Sequence, residues 1–345
     1  MCPYKGLLSA RFMIVAKSMI PIEEERIRKW AHAIEGEITL SLVVKEDEPG
    51  SRMARFCEDL VRLVPRIRVD REEGEEEQET TEIRVRPNIR YRAVPHGHEL
   101  EPFLEAVKSS RPLKETLPSE FRQSARRVDL PAQIEVYVSP QCPFCPTAVS
   151  RCLSLADANP RIQAIVVDST LFPALSATRG VRSLPTVILD GQFRWTGSFE
   201  LKDLVEMIAR RDPSLLGADS LKQFLDESRA EILADMMADR GMVFQGFYTL
   251  LTHSKWPVRL GAMVAFEHLV EKRPDLSSGL IEALWEKFPD LDDPVKGDIL
   301  YLFGQSGVPA AFHFLEAVLG GPCSHELREA AEEALESLSH HFGRG

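Results

Sequence analysis

The chain has 345 residues, 44% of them hydrophobic and 28% charged, with a formal net charge of −11. That length supplies two or three domains, and the balance is that of a globular protein able to bury real cores. The negative charge argues against nucleic acid as a partner, no apolar run reaches the roughly 20 residues of a membrane span, and six scattered cysteines do not make a disulfide framework.

Residues 1–19 carry an apolar stretch broken by Arg11 and Lys17, with no small-residue cleavage site after it. We read them as a lead-in segment, disordered or helical, with Met13 and Met19 as alternative starts, and expect a cytoplasmic protein. Residues 20–110 form the first patterned region. Helical spacing over 23–34 precedes a β-branched strand at 38–44; helical spacing returns over 53–64, followed by a strand at 66–69. The acidic run 70–82 reads as a solvated loop. Strands at 82–85 and 89–94 flank Arg86-Pro87-Asn88 as a hairpin, and a helix over 99–110 closes the region.

Residues 111–212 repeat that order. A helix at 114–127 leads to a strand at 134–138, then to Cys142-Pro143-Phe144-Cys145 opening a helix. A strand at 161–167, a short helix ending at Gly180, a hairpin around Asp190-Gly191 and a helix at 200–211 follow. Helix, strand, helix, strand, hairpin, helix is the thioredoxin order, and finding it twice is an internal repeat. It sets Cys57 opposite Cys152. Residues 213–345 show no strand pattern. Helices are expected at 219–239, 242–252, 257–272, 276–288, 294–306, 308–319 and 325–339. The openings Trp256-Pro257-Val258-Arg259 and Asp293-Pro294-Val295-Lys296 lie 37 residues apart, the spacing of a short HEAT-like α-solenoid able to hold a protein partner. The fold class is therefore α/β, two tandem thioredoxin-like folds followed by an all-α region.

A CxxC between a strand and a helix is a dithiol site by chemistry. Unpaired N–H groups and the partial positive charge of a helix N-terminus stabilise a thiolate, so Cys142 is the expected nucleophile, with a pKa below about 8.5. Cys145, deeper, resolves the mixed disulfide. Zinc normally takes four ligands and there is no second CxxC or CxxH, so we expect no metal. No cofactor is expected beyond the Cys142–Cys145 disulfide itself. Ser183-Leu184-Pro185-Thr186 precedes a strand and supplies the cis-proline, Pro185, that presents backbone to an extended substrate. Pro143, Phe144, Leu184 and Thr186 are the expected substrate groove. Glu135, on the strand entering the site, is a candidate proton shuttle beside the alternative of an ordinary exposed carboxylate. The first repeat has Lys45-Glu46-Asp47-Glu48-Pro49-Gly50 in place of the CxxC and Thr80 or Thr81 in place of the proline, so it cannot perform dithiol chemistry. His96-Gly97-His98-Glu99 reads as a loop and helix cap.

Cys142-Pro143-Phe144-Cys145-Pro146, Asn159-Pro160-Arg161-Ile162, Val181-Arg182-Ser183-Leu184-Pro185 and, in the first half, Pro95-His96-Gly97-His98-Glu99 resemble the N-terminal domain of the alkyl hydroperoxide reductase flavoprotein subunit. They also resemble glutaredoxin-like protein disulfide oxidoreductases, over roughly residues 20–210. The resemblance implies that the two sheets join into one surface with a cleft over the CxxC, and that an acidic residue, here Glu99, reaches that cleft as a candidate acid/base or pKa-tuning group. It departs from the flavoprotein in having no GxGxxG after a strand, so electrons are expected from a separate protein donor, and in its helical C-terminal region. The Pro-Phe dipeptide resembles glutaredoxins, implying a potential within the span of about −120 to −270 mV known for such proteins. Two functions follow. One is a thiol–disulfide oxidoreductase acting on protein disulfides or dithiols; the other is an interaction scaffold whose thioredoxin-like pair is structural or redox-sensing.

Overall fold

Residues 19–73, 80–108 and 117–343 are described by a computed structural model. The lead-in at 1–18, the centre of the acidic run at 74–79, and the segment 109–116 that starts the expected helix at 114–127 lie outside them. In chain order the first fold comprises α1 (Pro21–Ala31), β1 (Ile38–Val44), α2 (Glu48–Leu63), β2 (Ile67–Glu73), β3 (Glu82–Arg86), β4 (Ile89–Arg92), a 3-10 turn at Gly97–Glu99 and α3 (Leu100–Lys108). The second comprises α4 (Ser119–Arg126), β5 (Ala132–Val138), α5 (Cys145–Ala158), β6 (Ile162–Asp168), α6 (Pro173–Thr178), β7 (Thr186–Leu189), β8 (Phe193–Thr196) and α7 (Leu201–Arg210).

These strands make one eight-stranded sheet in the order β2-β1-β3-β4-β6-β5-β7-β8. The halves meet where β4 and β6 pair in parallel, Ile89 to Ala164 through Arg92 to Val167. Buried Asn88 secures the junction: its side-chain amide donates to the Ala156 and Ile162 carbonyls at 2.8 and 3.0 Å. One apolar core spans both halves on the helix-covered face, from Leu40 and Phe56 to Ile134, Cys145 and Val149. A smaller cluster, Tyr137, Ile165, Val167 and Ile188, fills the other face of the second fold. The alternation of β5 explains this division, because successive side chains point to opposite faces.

Two sequence expectations shift here. Asp47 accepts the Gly50 N–H at 2.7 Å and caps α2, so Glu48-Pro49-Gly50, read as loop, begins that helix. The acidic run is not a loop throughout. Asp70–Glu73 extend β2, held by pairing with β1, and Glu82 is buried in β3 among three arginines.

The remainder is helical: α8 (Ala218–Asp226), α9 (Ala230–Arg240), α10 (Gln245–Leu251), α11 (Trp256–Lys272), α12 (Ser277–Lys287), α13 (Asp293–Gln305), α14 (Ala310–Gly320) and α15 (His325–Phe342). The single helix expected over 219–239 is two. Ser228 adopts φ 56°, and the Arg229 N–H returns to the Phe224 carbonyl at 2.7 Å, closing α8 before α9 starts. A separate core follows these helices, from Leu216 to Leu338. It is tied to the sheet through α8: Ser220 donates to buried Asp190 at 2.6 Å and Asp219 accepts from the Gln133 side chain at 3.2 Å, while Asp190 also accepts the Gln133 N–H and pairs with Arg211 Nε at 2.8 Å. Among the described residues no helix is long and apolar enough to cross a membrane.

Candidate functional site

β5 delivers the chain into the turn 139–144, and α5 starts at Cys145. Cys142 and Cys145 form a disulfide with their Cα atoms 5.5 Å apart. Cys142 precedes the first helical turn; its N–H donates to the Ser139 carbonyl at 3.1 Å and its side chain is half-buried, while Cys145 is fully buried. The two sulfurs thus differ in access, as nucleophile and resolving thiol must. Burial pushes the two other helix thiols, Cys57 and Cys152, up to about 12, which removes them from exchange chemistry near neutrality.

Leu184-Pro185 is cis. Pro185 shares a groove of about 400 Å³ with Leu184, Phe144 and Ala148, which brings the proline and the CxxC region together. Phe144 is 74% exposed at its lip. The groove is also lined by residues that no motif singles out: Thr147, Arg151, Ser198 and Phe199. Arg151 donates to the Phe199 carbonyl at 2.7 Å and lies over the Phe199 ring. Thr147 and Arg151 sit four apart on α5, a helical spacing that marks them only once the direction of the groove is known. Pro143 is exposed and does not line the groove. Thr186 is buried, its hydroxyl donating to the Ser183 carbonyl at 2.7 Å; it braces the proline turn and does not line the groove.

Glu99 ends the 3-10 turn that leans on the approach to the CxxC. The His98 N–H donates to the Pro140 carbonyl at 3.2 Å, and the turn packs against α5. Gly97 has φ +58°, and a Cβ there would meet the Pro140 oxygen at 2.6 Å. Glycine is what permits this approach. Glu23 holds the turn from behind, accepting the Gly97 N–H at 2.8 Å and pairing with His96 at 3.0 Å. The His96 cluster is therefore a structural clasp. The Glu99 carboxyl is 1% exposed and neither oxygen has a hydrogen-bond partner among the described residues. Burial, and then the charge of Asp168, raise its pKa to about 8.

Glu135 is placed differently from expectation. It is buried on the face shared with Tyr137, away from Cys145, whose core neighbours are Ile134, Val136 and Val138. There it pairs with Arg179 at 3.2 Å and accepts the Tyr137 hydroxyl at 3.2 Å. Strand alternation, one residue out of phase with the core face, puts it out of reach of the disulfide. In the first fold the corresponding corner is closed: Thr81, just before β3 as Pro185 is before β7, accepts the Lys45 N–H at 3.1 Å. Among the described residues no group of three or more His, Cys, Asp or Glu side chains forms a metal site.

Fold and site together define a tandem thioredoxin-like region whose second half holds one CxxC disulfide beside a cis-proline. Residues 132–209 match the family model described as the thioredoxin domain. An alkyl hydroperoxide reductase component from Xanthomonas campestris pv. phaseoli is 26% identical over 182 residues, 50% of this chain and 34% of that protein. A thioredoxin of Methanocaldococcus jannaschii is 28% identical over 80 residues, 23% of this chain and 94% of that one. A solved protein disulfide oxidoreductase from Aeropyrum pernix superposes with a TM-score of 0.49 at 15% identity, covering 55% of this chain and 92% of that one. The chain spans only about a third of the length of the reductase component that it matches.

Proposed function

We propose that this protein is a thiol–disulfide oxidoreductase acting on protein disulfides. The observation that carries the reading is the pairing of a more accessible Cys142 with a buried Cys145 at the head of α5, in a region whose groove also holds cis-Pro185. In the reduced protein the Cys142 thiolate attacks one substrate sulfur and expels the other as a thiolate, giving a mixed disulfide. The Cys145 thiolate then attacks Cys142 Sγ, the second substrate thiolate leaves, and two electrons have passed to the substrate. A separate protein donor restores the dithiol. Glu99, protonated below about pH 8, gives its proton to Cys145 as the pair is reduced and takes it back before the second attack. Glu135 has no part in this chemistry. Phe144, Leu184 and Phe199 receive the apolar flank of the substrate segment. Free thiols at Cys57, Cys152 and Cys323 fit a reducing compartment, and we assign the protein to the cytoplasm.

The test is reduction of insulin disulfides by the dithiol protein, which Cys142→Ser abolishes and Cys145→Ser converts into stable mixed disulfides. A Cys142→Ser protein as active as the unaltered one refutes the reading. The helical region supports a partner-recruiting role beside it. Trp256, Leu260 and Val264, at four-residue spacing on α11, are 55%, 41% and 39% exposed, as a HEAT-like array would present to a protein. Loss of a trapped partner on mutating this stripe, with insulin reduction intact, distinguishes recruitment from chemistry.

A further inference from the structure

In the second fold, α6 crosses the sheet between β6 and β7 and covers its far face. The first fold joins β2 to β3, on either side of β1, by the eight residues 74–81, where the second spends the seventeen residues 169–185 between β6 and β7. Its far face is correspondingly polar. In β3 and β4, Ile83, Val85, Ile89 and Tyr91 enter the core while Arg84, Arg90 and Arg92 alternate with them on the other side. The helical region stands over this face, contributing Lys222 of α8 and Lys255 before α11, and encloses a cleft of about 1020 Å³.

The arginines are arranged against the interest of the fold. Arg84 and Arg90 are direct cross-strand partners, and like charges so placed are destabilising. Three guanidiniums share one buried carboxylate, Glu82, at 2.8, 3.6 and 3.3 Å from Arg84, Arg90 and Arg92. Their charges hold the Glu82 carboxyl below its usual range despite burial, so it is an anion that fixes all three forks. Glu72 takes a further N–H of Arg84, and Asp226 holds Lys222. Arg90 and Arg92 line the cleft; Glu82 takes one nitrogen of each, and Arg90 Nε donates to the Pro87 carbonyl at 3.4 Å, so neither guanidinium is used up by these partners. Forks immobilised beforehand bind planar or tetrahedral oxyanions without the usual ordering cost, and guanidinium suits phosphate better than ammonium does. The volume exceeds what a single phosphate fills, and among the described residues the lining holds no Phe, Tyr or Trp ring, its one imidazole being His253.

We propose that this cleft binds a small molecule through a diphosphate group, seated on Arg90 and Arg92 with Lys222 and Lys255 at the rim. The test is calorimetric titration of the full chain with inorganic pyrophosphate at low salt, with ADP to show whether a nucleoside adds affinity, and sulfate as a monomeric control. Saturable pyrophosphate binding is expected, weakened at least about tenfold in Arg90→Gln/Arg92→Gln, by the worth of charge-assisted hydrogen bonds. Cys142→Ser should bind equally well, which separates this site from the redox reading. A second measurement needs no variant: pyrophosphate should protect Arg90 and Arg92 of the unaltered protein from phenylglyoxal, as read by mass spectrometry. Absence of saturable binding, unchanged affinity in the double variant, equal binding of sulfate, or absence of protection each overturns the proposal. Binding of an acidic peptide but not of pyrophosphate overturns it in favour of a protein segment.

Discussion

Replacing Glu99 by Gln tests the buried carboxyl of the 3-10 turn that packs against α5. Its pKa is raised from 4.5 to about 8, chiefly because burial disfavours the charged form. The folded protein therefore holds a proton that the unfolded chain releases. Below pH 4.5 both states are protonated and no penalty exists; between pH 4.5 and about 8 the unfolded state binds fewer protons and stability falls; above about 8 the loss is complete. At about 1.4 kcal/mol per pKa unit, the full loss is about 4–5 kcal/mol. The Gln variant has no such proton to lose. Urea denaturation of the two proteins from pH 4.5 to 9 should show the wild type losing ground to the variant steadily, by several kcal/mol at the alkaline end. The carboxyl carbon of Glu99, followed by NMR in the oxidised protein, should titrate near 8. A midpoint near 4.5, or parallel stability curves, refutes both the burial argument and the proton-transfer role built on it.

Three further outcomes follow. Gly97→Ala forces a positive φ on a residue with a Cβ and drives that atom into the Pro140 carbonyl; we expect a loss of about 1–3 kcal/mol in thermal or urea denaturation and slower insulin reduction. Arg211→Met strands the Asp190 carboxylate, whose pKa burial already pushes up, and should cost about 3–5 kcal/mol; adding Asp190→Asn, which keeps the turn and its hydrogen bonds, should recover most of it in the same melts. Phe144→Ser, at an exposed groove lip, should change stability by no more than about 0.5 kcal/mol while raising KM for a protein disulfide.

The paired cysteines were legible because they are written locally. A strand of β-branched residues, four residues of CxxC and a helix are contiguous, so the dithiol and its depth ordering could be read at once, and the proline is recognisable from the strand that follows it. The repeat was legible for the same reason: hydrophobic period changes in the same order twice. What escaped depends on three-dimensional registration. Glu135 and the core positions of β5 differ by one residue, and only the direction in which α5 packs says which face sees the disulfide. Phe199 reaches the groove across a hairpin, and Arg151 across a helix, with no motif to mark them. The charge of the acidic run concealed that Glu82 is buried, because burial was supplied by arginines on neighbouring strands. The split at Ser228 follows from one left-handed residue within a stretch otherwise suited to helix.

The parallel seam between β4 and β6 makes the half that lacks a CxxC indispensable to its neighbour. Removing residues 20–108 would leave β6 with a full row of unsatisfied amides and carbonyls along one flank, an adhesive border that recruits other chains. That half thus serves as a splint, and the disulfide exchange proposed for the second half is hostage to the integrity of the first.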